Sequence, residues 1–215
     1  MNKKAVVFDM DGVLVDTEPI YLKMFRKFLK ENNCTVDEKL LKAIAGASSK
    51  QTWKYMADMW LEEIEPDKLH KLFRMEYPDF QISYREVLYP RVEELLQYLR
   101  EKGILIALAS SSSDRAIRRM LRETGLEIYF SCFVSGEMFR ESKPNPEIYL
   151  CVLEKLGMSA KECLAVEDST YGIQAAKAAG IEVVAVEDNR FSYNQSNADW
   201  IVKKTFDLKK IFESV

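Results

Sequence analysis

The sequence predicts an α/β fold: a doubly wound, Rossmann-like parallel sheet carrying an all-helical domain inserted after its first strand. Two observations lead there. From about residue 87, short apolar runs rich in β-branched residues alternate with helical patterns, which implies parallel strands joined by crossover helices. Residues 18–80 instead repeat at helical spacing, with no strand pattern between them. The first apolar run, residues 4–8, belongs with the alternating part. The catalytic core is therefore expected at 1–15 and 87–215, and a helical cap at 16–86.

Each element has its own signal. After the first run, Ile20, Met24 and Phe28, with Tyr21, Phe25 and Leu29, form a helical stripe behind Thr17, read as an N-cap. Leu40, Leu41 and Ile44 form a second stripe closed by Gly46. Trp53, Met56, Met59 and Trp60 follow Ser48 or Ser49 as a third, and Leu69, Leu72 and Phe73 follow Pro66 as a fourth. The Met and Trp stripes are expected to pack as the insertion's own core. Further strands are predicted at 104–109, 132–135, 163–166 and 182–186, each buried on both faces. Helices between them run from about Pro90 to Gly103, Ser113 to Gly125, Asn145-Pro146 to Gly157, and Ser169 to Gly180.

Composition narrows the function classes. With 215 residues, 47% hydrophobic and 30% charged, the chain has the make-up of an ordinary soluble domain. A net charge of −3 gives no reason to expect nucleic acid or an anionic membrane surface. No apolar stretch approaches the roughly 20 residues that span a bilayer, and MNKKAVVFDMDG meets acid where a leader would need an apolar segment. Cys34, Cys132, Cys151 and Cys163 are widely spaced, without a CxxC and with a single histidine in the chain. That argues against a zinc site or a disulfide framework, and Cys151 and Cys163 suit core packing. The expectation is a cytoplasmic monomer.

FDMDGVLVDTE, residues 8–18, crowds Asp9 and Asp11 directly behind an apolar strand. Like charges this close repel, and a buried carboxylate is costly unless compensated. Open parallel sheets bind ligands beyond the carboxyl ends of their strands. There the chain places Asp9 and Asp11, then Ser110 within ALASSSSDR, Lys143 within SGEMFRESKPNPEIY, and Glu167-Asp168. Each has a plain structural reading: an Asp-Gly turn, a helix-capping serine loop, a surface lysine, and first-turn acids favoured by the helix dipole. Their recurrence at corresponding places on successive strands favours a site. Asp9 and Asp168 offer hard oxygen ligands to Mg²⁺. An aspartate can attack phosphorus, and a second carboxyl two residues on can protonate the leaving oxygen and then activate water. Lys143 and Ser110 would hold the phosphoryl oxygens.

DMDGVLVDTE, LAS at 108–110, SKPNPEIY at 142–149 and VEDSTYGIQAAKAAG at 166–180 resemble the four motifs of the haloacid-dehalogenase-like hydrolases. The likeness spans nearly the whole chain and is closest to the β-phosphoglucomutase-like branch, whose helical cap follows the first motif. It implies that Asp9 is the nucleophile and Asp11 the acid/base. It also implies a metal held by Asp9, the Asp11 backbone carbonyl and Asp168, with Glu167 close by, and a phosphoryl group bound by Ser110 and Lys143. True dehalogenases lack the second aspartate, so Asp11 points to phosphate chemistry.

Departures from the branch bear on the cap. Tyr21 stands where the mutases place a histidine, and Ser49, with Lys50 one step on, where they place an arginine. No counterpart of the phosphonate hydrolases' cap lysine is assignable, and the proline-glycine that often opens the helix before the second motif reads Pro90-Arg91. The loop 46–50 faces the phosphate site in this branch, which makes Ser48, Ser49, Lys50 and Tyr21 candidate substrate contacts. Lys50 reads equally well as a solvated residue of the next helix's first turn. The expected function is a Mg²⁺-dependent phosphatase acting on a small phosphate monoester, such as a sugar phosphate. The alternatives are a β-phosphoglucomutase-type hexose-phosphate mutase and a non-catalytic protein that binds a phosphorylated metabolite. Intact Asp9, Asp11, Lys143 and Asp168 argue against the last.

Overall fold

The computed structural model describes residues 3–213, so the outer ends of the expected core, residues 1–2 and 214–215, lie outside the described residues. Strand β1 (Ala5–Phe8) leads into α1 (Glu18–Glu31), α2 (Glu38–Ala43), α3 (Ser49–Asp58) and α4 (Pro66–Glu76). The chain then alternates through α5 (Val92–Glu101), β2 (Leu105–Ser110), α6 (Asp114–Thr124), β3 (Cys132–Ser135), α7 (Glu147–Leu156), β4 (Cys163–Glu167) and α8 (Thr170–Ala178). It ends in β5 (Glu182–Val186), β6 (Trp200–Val202) and α9 (Leu208–Glu213). The strands form one parallel sheet in the order β3-β2-β1-β4-β5-β6.

Alternation along the strands sorts the sheet into two unlike faces. Val6, Phe8, Ile106, Leu108, Leu164 and Val166 join the buried layer that contains Leu95, Leu99, Ile117 and Leu208 from the helices. Each such side chain contributes about 1.5–3 kcal/mol when fully buried. The other face is built of Ala5, Val7, Ala107, Ala109, Ala165 and Ala185 and takes α7 and α8, whose Ala175 and Ala176 permit close approach. The inserted helices have a separate core of Phe25, Phe28, Trp53, Met56, Met59, Leu69 and Phe73. Tyr21 and Phe80 pack against both cores and join the two layers.

Several local expectations need correction. Thr17 does not cap α1: it lies in helical geometry (φ −87°, ψ −29°) with no capping bond, and its hydroxyl donates to Asp11 Oδ1. Helix α5 begins at Val92 because Arg91 takes the left-handed region at φ 66°, a conformation glycine adopts freely. The Arg91 guanidinium is held by Glu94 and lies 3.5 Å from the Phe206 ring centroid. Gly46 lies beyond α2, which ends at Ala43. Strand β6 and helix α9 escape the sequence patterns, being three and six residues long and too short for a period to register.

Two connections join the inserted helices to the sheet, and they run side by side. The Asp16 amide donates to Val87 O at 2.8 Å and the Tyr89 amide to Leu14 O at 2.9 Å. Arg190, in the loop after β5, grips both: its guanidinium binds Asp16 at 2.8 and 2.9 Å, Asp188 at 2.6 Å and the Tyr89 hydroxyl at 3.3 Å.

Candidate active site

Strand register brings the acidic residues level. Phe8 pairs with Leu108 on one side and Val166 on the other, so Asp9, Ala109 and Glu167 come next on three adjacent strands. The chain goes from β1 outward to β2 and β3, then resumes on the far side of β1 with β4. The acids therefore lie where the winding direction reverses, the crevice that open α/β sheets use for ligands. Gly12 turns the loop at φ 78°, and a Cβ on it would collide with the Asp168 carboxylate. Gly172, in the first turn of α8, gives the same clearance to Glu167.

Lys143, in the loop between β3 and α7, donates to Asp9 Oδ1 at 2.6 Å, Glu167 Oε1 at 2.6 Å and Ala109 O at 2.9 Å. The Tyr149 hydroxyl donates to the same Glu167 oxygen at 2.5 Å. Burial opposes the charge on Lys143, but Asp9 and Glu167 outweigh it and hold its pKa above the ordinary value. Burial is also the main reason the Asp9 carboxyl is pushed up to about 8; Glu167 and Asp11 add to the rise and Lys143 opposes it. Asp168 is held well above the carboxylate range by burial, then by Glu167, Asp9 and Glu18.

Oxygens of Asp9, Glu167 and Asp168 lie within 4.8 Å of one another. Three carboxyl groups face one ammonium, so ionising all three would leave an excess of two negative charges, and the Asp168 carboxyl accepts no hydrogen bond from the described residues. Close-set, under-compensated hard oxygens fit a divalent cation of the Mg²⁺ type.

Asp11 is half-buried. Thr17 holds its Oδ1, and the Ser112 hydroxyl donates to Oδ2 at 2.8 Å. Burial raises its pKa and these two bonds lower it; the rise prevails. Ser110, buried at the end of β2, accepts the Ser112 amide at 3.1 Å. Glu18 accepts the Gly46 amide at 2.8 Å, tying the loop after α2 to the start of α1, and burial pushes its carboxyl up to about 8.

A cavity of about 480 Å³ opens over these groups. Asp9, Asp11, Ser110, Lys143 and Asp168 line it from the sheet, and Tyr21, Trp53, His70 and Phe80 from the insertion. Of the four candidate cap contacts, Tyr21 and Ser49 line the cavity, whereas Ser48 and Lys50 do not. The Ser48 hydroxyl caps α3 by accepting the Gln51 amide, and Lys50 is exposed in the first turn of that helix, the solvated reading. Trp53, expected only in the core, also reaches the cavity and stacks on His70 with centroids 4.5 Å apart. Outside the sequence expectation lie Ser112 and Tyr149, which hold Asp11 and Glu167, and the cavity-lining Glu18, His70, Arg74 and Arg115. Ser112 was signalled only by the serine run after β2. Tyr149 and Glu18 close the stretches SKPNPEIY and FDMDGVLVDTE without a role read for them, and His70, Arg74 and Arg115 sit in helical segments that say nothing of a ligand.

A family model described as haloacid dehalogenase-like hydrolase matches residues 6–186. A phosphorylated carbohydrates phosphatase of Thermotoga maritima is 36% identical over 182 residues, covering 83% of this chain and 82% of that one. The β-phosphoglucomutase of Bacillus subtilis is 28% identical over 211 residues, covering 95% and 91%. The solved structure of a predicted phosphoglycolate phosphatase from Haemophilus somnus matches with a TM-score of 0.82 and 27% identity over 99% of both chains.

Proposed function

The chain belongs to the haloacid dehalogenase-like hydrolases, and on that membership we propose that it is a Mg²⁺-dependent phosphatase hydrolysing a small phosphate monoester through an aspartyl-phosphate. In this reading residues 16–86 form a cap over a core of 1–15 and 87–215. The named relatives extend the proposal to phosphorylated carbohydrates as substrates.

The observation that carries it is the pairing of Asp9 with Lys143 beneath a cavity that also receives Asp11. An Asp9 oxygen attacks phosphorus while the ester P–O bond breaks, and Asp11 gives its proton to the departing oxygen. Its raised pKa suits that role. Asp11 then takes a proton from a water that attacks the phosphoryl group, freeing inorganic phosphate and Asp9. Thr17 and Ser112 fix which way the Asp11 oxygens point through both steps. Lys143 and Ser110 hold phosphoryl oxygens as charge shifts among them. Mg²⁺, held by Asp9, the Asp11 carbonyl and Asp168 with Glu167 behind, would offset the phosphoryl charge.

Tyr21 supports water as the acceptor. Burial pushes its phenol above the ordinary value, and such a group shuttles protons poorly near neutral pH. Phosphate release from p-nitrophenyl phosphate, with and without Mg²⁺, tests the reading: it should require the cation and vanish in a folded Asp9→Asn protein. Undiminished release by Asp9→Asn would remove Asp9 from the reaction. Efficient conversion of β-glucose 1-phosphate to glucose 6-phosphate with a bisphosphate primer would point to the mutase instead.

A further inference from the structure

Four cationic side chains line the cavity, and two of them are committed within the protein. Lys143 is bound by Asp9 and Glu167. Arg119 donates to Ile82 O at 3.0 Å, lies 3.3 Å from Glu123 and stacks 4.6 Å from the Tyr84 ring centroid. Arg74, on α4, and Arg115, on α6, have neither an ion pair nor a hydrogen bond with a described residue. Arg100 and Arg140 also lack such a partner among the described residues, but they lie outside the cavity, so Arg74 and Arg115 are the uncommitted arginines that line it. Two acids of the wall outside the strand-end cluster are engaged by backbone: Glu137 accepts the Asp114 amide at 3.0 Å, and Glu18 accepts that of Gly46.

We propose that the substrate carries a second anionic group, a carboxylate or a second phosphate, held between Arg74 and Arg115 while its ester phosphate lies at Asp9. The inference rests on the phosphatase reading of the same site. The cavity volume falls in the range that encloses a drug-sized ligand, well beyond a phosphoryl group alone. A guanidinium offers a planar fork of donors matched to both anions. The two arginines line the cavity from different layers, Arg74 from the inserted helices and Arg115 from the sheet-packed ones. An anion between them therefore also draws the insertion down over the phosphate.

The test compares esters of equal carbon count. The kcat/KM for 6-phosphogluconate and fructose 1,6-bisphosphate is measured against that for glucose 6-phosphate and fructose 6-phosphate. The anionic-to-neutral ratio should be about tenfold in the wild type, as suits charged hydrogen bonds discounted for exposure. It should collapse toward one in Arg74→Gln and Arg115→Gln and survive in part in the lysine variants. Preference for 6-phosphogluconate alone assigns a carboxylate, and preference for the bisphosphate alone a phosphate. Tryptophan fluorescence titrations of Asp9→Asn with the same four ligands read affinity without turnover. Absence of hydrolysis would therefore sink the phosphatase reading while the affinities still decide the anion site. Equal ratios in the wild type and the glutamine variants, by rate or by affinity, overturn the proposal.

Discussion

Replacing Gly172 by alanine should destabilise this protein, although the same change in an ordinary helix interior would stabilise it by about 0.5–1 kcal/mol. The reason is the neighbour of Gly172. A Cβ there would fall on the Glu167 carboxylate, far inside the 3.0 Å that real Cβ atoms respect. Helix α8 cannot retreat, because Ile173, Ala175 and Ala176 are fully buried against the sheet. Glu167 must therefore move, and it surrenders the 2.6 Å ion pair with Lys143 and the 2.5 Å bond from Tyr149. Breaking a buried, hydrogen-bonded pair from one side costs about 3–5 kcal/mol. Subtracting a helix gain of about 1 kcal/mol leaves about 2–4 kcal/mol. At about 2–4 °C per kcal/mol for a chain of this size, Tm should fall by roughly 4–16 °C. Thermal denaturation followed by circular dichroism measures it. In an Glu167→Ala background the collision is gone, and Gly172→Ala should be neutral or stabilising. If Gly172→Ala alone melted at or above the wild type, the packing argument would be wrong.

Two further perturbations follow from the same geometry. The folded-state pKa values of Asp9, at about 8, and Asp168 are raised, so their contribution to stability is fully present below the unfolded carboxylate value near 4 and is lost as pH rises above it, for Asp9 through about 8. In EDTA this pair should lower Tm between pH 5 and pH 8, and Mg²⁺ should restore it most at the upper end by binding the ionised acids; a cation effect that did not grow with pH would contradict this. Arg190→Ala releases both connections at a half-exposed site, so stability should change by only about 1 kcal/mol, while limited proteolysis within 14–18 and 80–89 should quicken; an unchanged cleavage rate would deny Arg190 a role in holding them.

What the sequence made legible is what a strand delivers directly. Asp9, Ser110 and Glu167-Asp168 end or follow apolar runs, and parallel register then sets them on one edge. Lys143 was legible because it lies in SKPNPEIY, in the segment that follows the third apolar run. The residues that escaped depend on how layers dock. Thr17 read as a cap because its type and place suit one, yet burial against Asp11 gave its hydroxyl a charged acceptor. Ser48 and Lys50 each carry two readings in the sequence, cleft contact or helix start, and the fold places Ser48 as the cap of α3 and Lys50 exposed in its first turn. Arg74 and Arg115 look like any surface arginine until the folded chain sets both on the wall of the cavity.

The paired connections also decide how this chain can be edited. Because Asp16 bonds Val87 and Tyr89 bonds Leu14, the inserted helices leave and re-enter the sheet at nearly one point. A segment whose ends already meet can be lengthened, exchanged or excised at little cost in loop entropy. Over evolutionary time the helices that shape one wall of the cavity could then be traded between lineages while the strand ends beneath stay fixed. Thr17, which reaches back to hold Asp11, marks where the exchangeable part must begin.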